Sequence, residues 1–420
     1  MNWQKFFNRF LLTGLLSLQA NAAVWVDSNR WDQNWEDRYS EWVKNSFNED
    51  VFIKGKYKGI ATDCADAVYT SRAIFAFENR LPFVILDPSG GDSKISNKMS
   101  RWDGDSEMEK FRQFVDYVNE MTDTKSLPRD TYPVSISRDY VRAGAIWSRP
   151  RIAQGNFFSF LFHTTVKEDP GHAELVKDVT DTGAILLIGS TVPAAVRPLI
   201  STSSLVFMPV ETSTGLRKWM EPQWYDQKTE QLPGYSMEQF KMGVPEVTNT
   251  YGKNSEASSN PQRNLDTWSK EIQTRLQLRA ENKDEALQRY ANNLCNLVQA
   301  RVDVIRKAES ARQGLGGACM NADDYDSYST PSRDKRIAAT IDQMVSLGGG
   351  FSFIPGGRLE NVKKFMKNCP PVQITAEKSL SLGDIATSYN NSKISSNPND
   401  SLEARWGLAD SSTGRSCPTY

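Results

Sequence analysis

Five cysteines and two histidines are the residues of this chain that could support nucleophilic chemistry. Cys295, Cys319, Cys369 and Cys417 lie in the last third, whereas Cys64 stands alone near the front. In an oxidising compartment an odd count leaves one thiol over. The economical arrangement is two disulfides among the late four, in any of three pairings, and a free thiol at Cys64. That thiol lies in Thr62-Asp63-Cys64-Ala65-Asp66. With Val68, Ser71 and Phe75 following Cys64 at i+4, i+7 and i+11, the spacing predicts a helix over about Asp63 to Asn79 and sets the thiol in its first turn, on the inward stripe. A cysteine there feels unpaired backbone N–H groups and the positive end of the helix dipole, which favour thiolate. Asp63 fits the N-cap and Asp66 the answering position of a capping box, structural roles that come before any substrate contact at Asp63.

A thiol nucleophile also needs a base. The chain offers His163, at the end of the aromatic-rich run Phe157 to His163, and His172, which opens an alternating segment Gly171 to Val179. Asp181-Thr182-Gly183 makes a turn and Ala184 to Ser190 a short apolar run, so the whole reads as a β-hairpin. A strand start can hold an imidazole over a helix N-terminus, which makes Cys64 and His172 the nucleophile and base to test against a buried cysteine and an edge histidine. Around Gly215 to Tyr225, Arg217, Lys218, Trp219 and Trp224 gather cations and aromatics. Such a set suits a glycan-peptide groove, with Arg217 and Trp219 touching substrate, or equally a loop stapled to the core.

Further helix signals fall at Glu107 to Met121, Leu265 to Leu278, Lys283 to Arg312, Arg333 to Leu347 and Leu359 to Lys367. Leu205 to Val210 reads as one more strand. The elements expected are therefore one antiparallel sheet packed on the Cys64 helix, an α+β arrangement, followed by a helical region.

Two blocks resemble a known family. Asp63-Cys64-Ala65-Asp66-Ala67-Val68 with Leu81-Pro82 looks like the cysteine helix of the NlpC/P60 cysteine peptidases, and Gly171-His172-Ala173-Glu174-Leu175-Val176 with Leu187-Ile188-Gly189-Ser190 looks like their histidine hairpin. The resemblance spans about Tyr57 to Leu199. It implies a papain-like fold, Cys64 as nucleophile, His172 as general base, and cleavage of an amide bond in peptidoglycan stem peptides. The family's third polar residue falls near Gly189, so Ser190 takes that role here, with Thr191, Asp178 and Asp181 as further candidates. Tyr57 is the nearest counterpart of the family's upstream aromatic hydroxyl, an oxyanion donor. Asp66 stands where the family has glycine. That departure, with the missing third residue, motivates two alternatives: a non-catalytic cell-wall-binding or scaffold protein on a degenerate hydrolase fold, or a thiol acyltransferase of transglutaminase type.

Composition narrows the partners. Fifty Lys and Arg balance 51 Asp and Glu for a formal charge of −1, with both signs scattered, which argues against nucleic acid. Two histidines and scattered carboxylates lack a metal-ligand spacing, so neither metal nor cofactor is expected. Lys5 and Arg9, an apolar run Phe10 to Leu18, and Ala20-Asn21-Ala22 have the order of a secretory signal cleaved before Ala23. No segment approaches the ~20 apolar residues of a membrane span. The expectation is an exported protein, periplasmic or secreted. Residues 1–22 would be signal, 23–247 the hydrolase-like domain, 248–263 a polar linker, 264–370 a helical domain held by disulfides, and 371–420 a Ser/Asn-rich, poorly ordered tail.

Overall fold

The computed structural model describes residues 23–102, 105–150, 152–154, 167–169, 171–203, 205–209, 211–243, 265–316, 318–350, 357–410 and 417–420. The signal-like segment, His163 and the polar linker lie outside them. The helices are α1 (Gln33–Asn45), α2 (Cys64–Glu78), α3 (Glu107–Met121), α4 (Leu127–Asp130), α5 (Leu265–Leu276), α6 (Lys283–Gly314), α7 (Ala322–Tyr328), α8 (Pro331–Gly348), α9 (Gly357–Glu360), α10 (Leu382–Asn390) and α11 (Leu402–Arg405). The strands are β1 (Val84–Leu86), β2 (Lys94–Ser96), β3 (Thr131–Pro133), β4 (Ile146–Arg149), β5 (Ile152–Gln154), β6 (Lys167–Asp169), β7 (His172–Val179), β8 (Ile185–Gly189), β9 (Ile200–Thr202), β10 (Gly215–Trp219), β11 (Val372–Gln373) and β12 (Ser379–Leu380).

Six strands form one antiparallel sheet in the order β3-β10-β4-β7-β8-β9. Both faces are buried. Ala173, Leu175, Ile146 and Ile188 share a core with α1, α2 and α3. Val176, Leu187, Trp147 and Leu216 share a second core with Trp268, Ile272 and Leu276 of α5. Helix α5, expected in the helical region, therefore belongs to the sheet, where Trp268 Nε1 donates to Gln239 O at 2.9 Å.

Helix α2 is buried from Cys64 to Phe77 rather than along one stripe. Its cation Arg72 is accommodated by a 2.5 Å bond to Glu36 Oε1 of α1 and by stacking 3.3 Å from the Trp31 ring centre, as a buried charge requires both a counter-charge and close contacts. Leu205 to Val210 is not a strand among its described residues; Phe207 instead stacks on Trp147 at 4.1 Å, and the outer strand is β9.

The helical region has its own core on α6 and α8, including Leu294, Val298, Ile337 and Met344. Cys295 pairs with Cys369 and Cys319 with Cys417, leaving Cys64 free. The tail expected to be poorly ordered contributes Leu382, Ile385 and Trp406 to that core. Its polar residues are spent on structure. Ser381 caps α10 in a capping box with Asp384, and Ser396 Oγ and Tyr389 Oη donate to Asp334 at 2.6 Å. Arg301 also bonds Asp334 and lies 4.7 Å from the Trp406 ring centre. No helix among the described residues is long and apolar enough to cross a membrane. Two disulfides fit an oxidising compartment.

Asp334 thus joins α6, α8 and the tail in one buried polar network. Replacing Asp334 with Ala is expected to lower the unfolding free energy by about 3–5 kcal/mol, because it strands the Arg301 charge; chemical denaturation of both proteins measures the difference.

Candidate functional site

Cys64 is the first residue of α2 and is 5% exposed. Asp63 caps the helix: its Oδ1 accepts from Ala65 N at 2.9 Å and Asp66 N at 3.1 Å, while Asp66 Oδ2 accepts from Asp63 N at 2.8 Å. The cap satisfies free N–H groups and supplies negative charge to the positive end of the helix. The thiol feels the result. Burial, then the Asp63 carboxylate, push Cys64 up to about 12, against backbone hydrogen bonds from Ala173 and Ala65 that pull the other way. A helix start that should favour thiolate here holds a protonated thiol at neutral pH.

The backbone of Ala173 brings β7 against this sulfur. Because side chains alternate along a strand, Ala173, Leu175 and Lys177 face α1 and α2, where Lys177 Nζ donates to Val43 O and Phe47 O at 2.7 Å. His172, Glu174 and Val176 face the other way. Glu174 is paired in register with Trp147 and His172 with Arg149. Trp147 and Val176 belong to the second core, and the Arg149 guanidinium lies over Phe207 of that core at 4.9 Å. Cys64 and His172 are thus brought to neighbouring positions but onto opposite faces of the sheet. The imidazole Nε2 lies 2.8 Å from Glu174 Oε2, with the two side chains 17% and 3% exposed. Burial pushes the Glu174 carboxyl up, but His172, Arg336 and the hydroxyl of Thr202 more than offset it and hold it below its ordinary value.

The remaining expected site residues lie elsewhere. Ser190 is on the α2 side of the sheet, where its Oγ donates to Thr62 O at 2.8 Å and anchors the extended residue, bridged to Ala195, that leads into Asp63; it does not orient His172, whose neighbour is Glu174. Tyr57 Oη donates to Glu78 Oε1 at 2.8 Å, at the far end of α2, about 20 Å from Cys64 at 1.5 Å per residue. It is therefore no oxyanion donor for that thiol. Arg217 is buried and gives its donors to Thr131 Oγ1 and Thr131 O, both at 2.7 Å, to Pro128 O and to Thr212 O. Trp219 is buried against Tyr69 with ring centres 5.3 Å apart. Both side chains hold the core together; Trp219 also borders a narrow crevice with Trp31 and Arg72, and Arg217 spends its donors on backbone and Thr131.

Glu174 was missed from the sequence, although its i+2 spacing from His172 within a strand places the two on one face. Arg336, whose guanidinium approaches Glu174 Oε1 at 3.9 Å, carries no local signal, since it arrives from α8. No group of three or more His, Cys, Asp or Glu among the described residues could hold a metal ion. The chain matches no protein-family model, no curated protein and no solved structure.

The two capping carboxylates also couple stability to pH. Burial, then the neighbouring Asp63, hold Asp66 well above the ordinary carboxyl range, so its ionisation works against the folded state. The stabilisation is complete below the unfolded value of about 4 and is lost as pH rises toward the folded value. Asp66→Asn keeps an acceptor for Asp63 N–H but no charge. Urea unfolding is expected to show the wild type losing stability relative to this variant between about pH 4 and pH 8.

Proposed function

We propose that the protein is an exported, non-catalytic binding or scaffold protein of the cell wall, built on a papain-like core in which Cys64 is a structural residue. The observation that carries this reading is the sidedness of β7, with the thiol against Ala173 and the imidazole of His172 across the sheet on Glu174. A thiol held protonated, beside the Asp63 carboxylate and without an imidazole on its face, lacks both the charge and the proton acceptor that nucleophilic attack needs. Export is supported by the two disulfides and by the signal-like order of the first residues. The cell wall as ligand rests on the resemblance of the two sequence blocks.

A second reading, a thiol hydrolase that cuts amide bonds in peptidoglycan stem peptides or an acyltransferase of the same chemistry, is favoured by one observation. Cys64 is the free cysteine, at the first turn of a helix, beside the residue that follows His172. Catalysis on this reading requires the backbone to turn His172 onto the α2 face, most directly at Gly171, whose φ is +71°.

Alkylation separates the two. Under non-reducing conditions from pH 5 to 9, Cys64 is expected to react slowly, to show no titration in that range, and to behave identically in His172→Ala. The protein is also expected to co-sediment with purified peptidoglycan sacculi, unchanged by Cys64→Ala. A thiol that reacts at neutral pH and loses this reactivity without His172 overturns the non-catalytic reading, and failure to co-sediment removes the wall as ligand.

A further inference from the structure

A cleft of about 250 Å³ opens where α6 crosses the sheet edge at β9. Its charged lining is Arg197, Asp303 and Glu49, beside the apolar Pro198, Leu199, Ile200 and Ala300, and Asp303 lies near enough to Arg197 to oppose the effect of burial on its charge. Arg197 is 8% exposed; one of its terminal nitrogens donates to Pro193 O, while its Nε has no hydrogen-bond partner. That Nε is closed to solvent, so it marks Arg197 as an under-satisfied buried cation rather than as the atom a ligand would touch. Each carboxylate is engaged through one oxygen, Asp303 Oδ2 by Lys307 Nζ at 2.9 Å and Glu49 Oε1 by the Ser201 hydroxyl. Asn296, whose Nδ2 donates to Ser201 O at 2.8 Å, leaves its amide oxygen as a further acceptor.

A cleft with a buried cation, two carboxylates and an apolar strip is matched by a ligand that carries both charges and one apolar group. A phosphate or a plain anion would meet the carboxylates, and a plain cation would meet Arg197. Clefts between packed units, apolar with a few polar groups, are common ligand sites. We propose that this cleft binds a small zwitterion, a free amino acid or a dipeptide, with its carboxylate on Arg197, its ammonium toward Asp303 and Glu49, and its side chain on Leu199, Ile200 and Ala300. The site is independent of Cys64 and of whether that thiol is reactive.

Calorimetric titration of the full chain tests it with four probes: leucine, Ala-Leu, Ala-leucinamide and N-acetyl-Ala-Leu. Leucine or Ala-Leu is expected to bind, and the tighter of the two gives the ligand's size. Blocking either terminus of Ala-Leu is expected to weaken binding about tenfold or more, the loss of one charge-assisted contact. Arg197→Gln should then bind Ala-Leu and its amide equally, and Asp303→Asn should narrow the gap between Ala-Leu and its acetylated form. Absence of binding by both leucine and Ala-Leu at millimolar concentration overturns the proposal, as does equal binding of the acid and the amide by wild type, a comparison that needs no variant to fold. Repeating the titration with Cys64→Ala is expected to change nothing, so a failure here is distinguishable from a failure of the wall-binding reading.

Discussion

Strand β7 is buried on both faces, and the alternation of its side chains decides which half of the molecule each residue serves. A slip of one residue would exchange the two sets, driving Glu174 into the apolar layer of α1 and α2 and turning Ala173 away from the sulfur. Glu174 finds His172, Thr202 and Arg336 only on the second face, and an ionised carboxylate without partners is among the costliest groups to bury. Conversely, Ala173 is the small residue that lets the start of α2 approach the strand. The register is therefore fixed by one charge and one small side chain, and the distance between thiol chemistry and imidazole chemistry follows from it.

The same helix start shows two uses of a helix terminus in competition. Unpaired N–H groups and the dipole can stabilise a thiolate, or they can be consumed by capping carboxylates. In this chain Asp63 and Asp66 take them. Burial of the whole helix then removes the solvent that would have screened the charge, and the thiol is left beside the Asp63 carboxylate. Arg72, two turns further along, is paired with Glu36 and lies over the rings of Trp31 and Tyr39, too far along the helix to serve the thiol.

Much of the first domain was legible because its signals are local. The start of α3 is set by Ser106 and Glu109, which form a capping box, and the β7–β8 hairpin follows from an alternating segment and a short apolar run on either side of a turn at Gly183, φ +78°. The pairing of the late cysteines into two disulfides was legible as a count, though not as a connectivity. What was not legible depends on partners distant in sequence. Tyr57 is drawn to Glu78, and Arg217 to the carbonyls of the α4–β3 corner; nothing near either residue announces this. A strand buried on one face declares its inward side by its polar residues, but β7 has helices on both sides, so the polarity of His172 and Glu174 did not reveal which face they take. The tail misled for a related reason, since composition weighs its many Ser and Asn as solvent-loving when several are caps or ligands of buried charge.

The helical region is better understood as the completion of the sheet than as a separate appendage. An edge strand presents unpaired backbone groups that must be covered. At β9 the cover is a helix, and it works through amide side chains: Asn293 Oδ1 accepts from Ser203 N at 3.0 Å, and Asn296 Nδ2 donates to Ser201 O. A seventh strand would have brought backbone within ~4.8 Å along the whole edge. A helix reaching across with side chains stands further off, and the space it fails to fill is the cleft that Arg197 and Asp303 line. The cavity is thus a geometric consequence of capping a sheet edge with a helix.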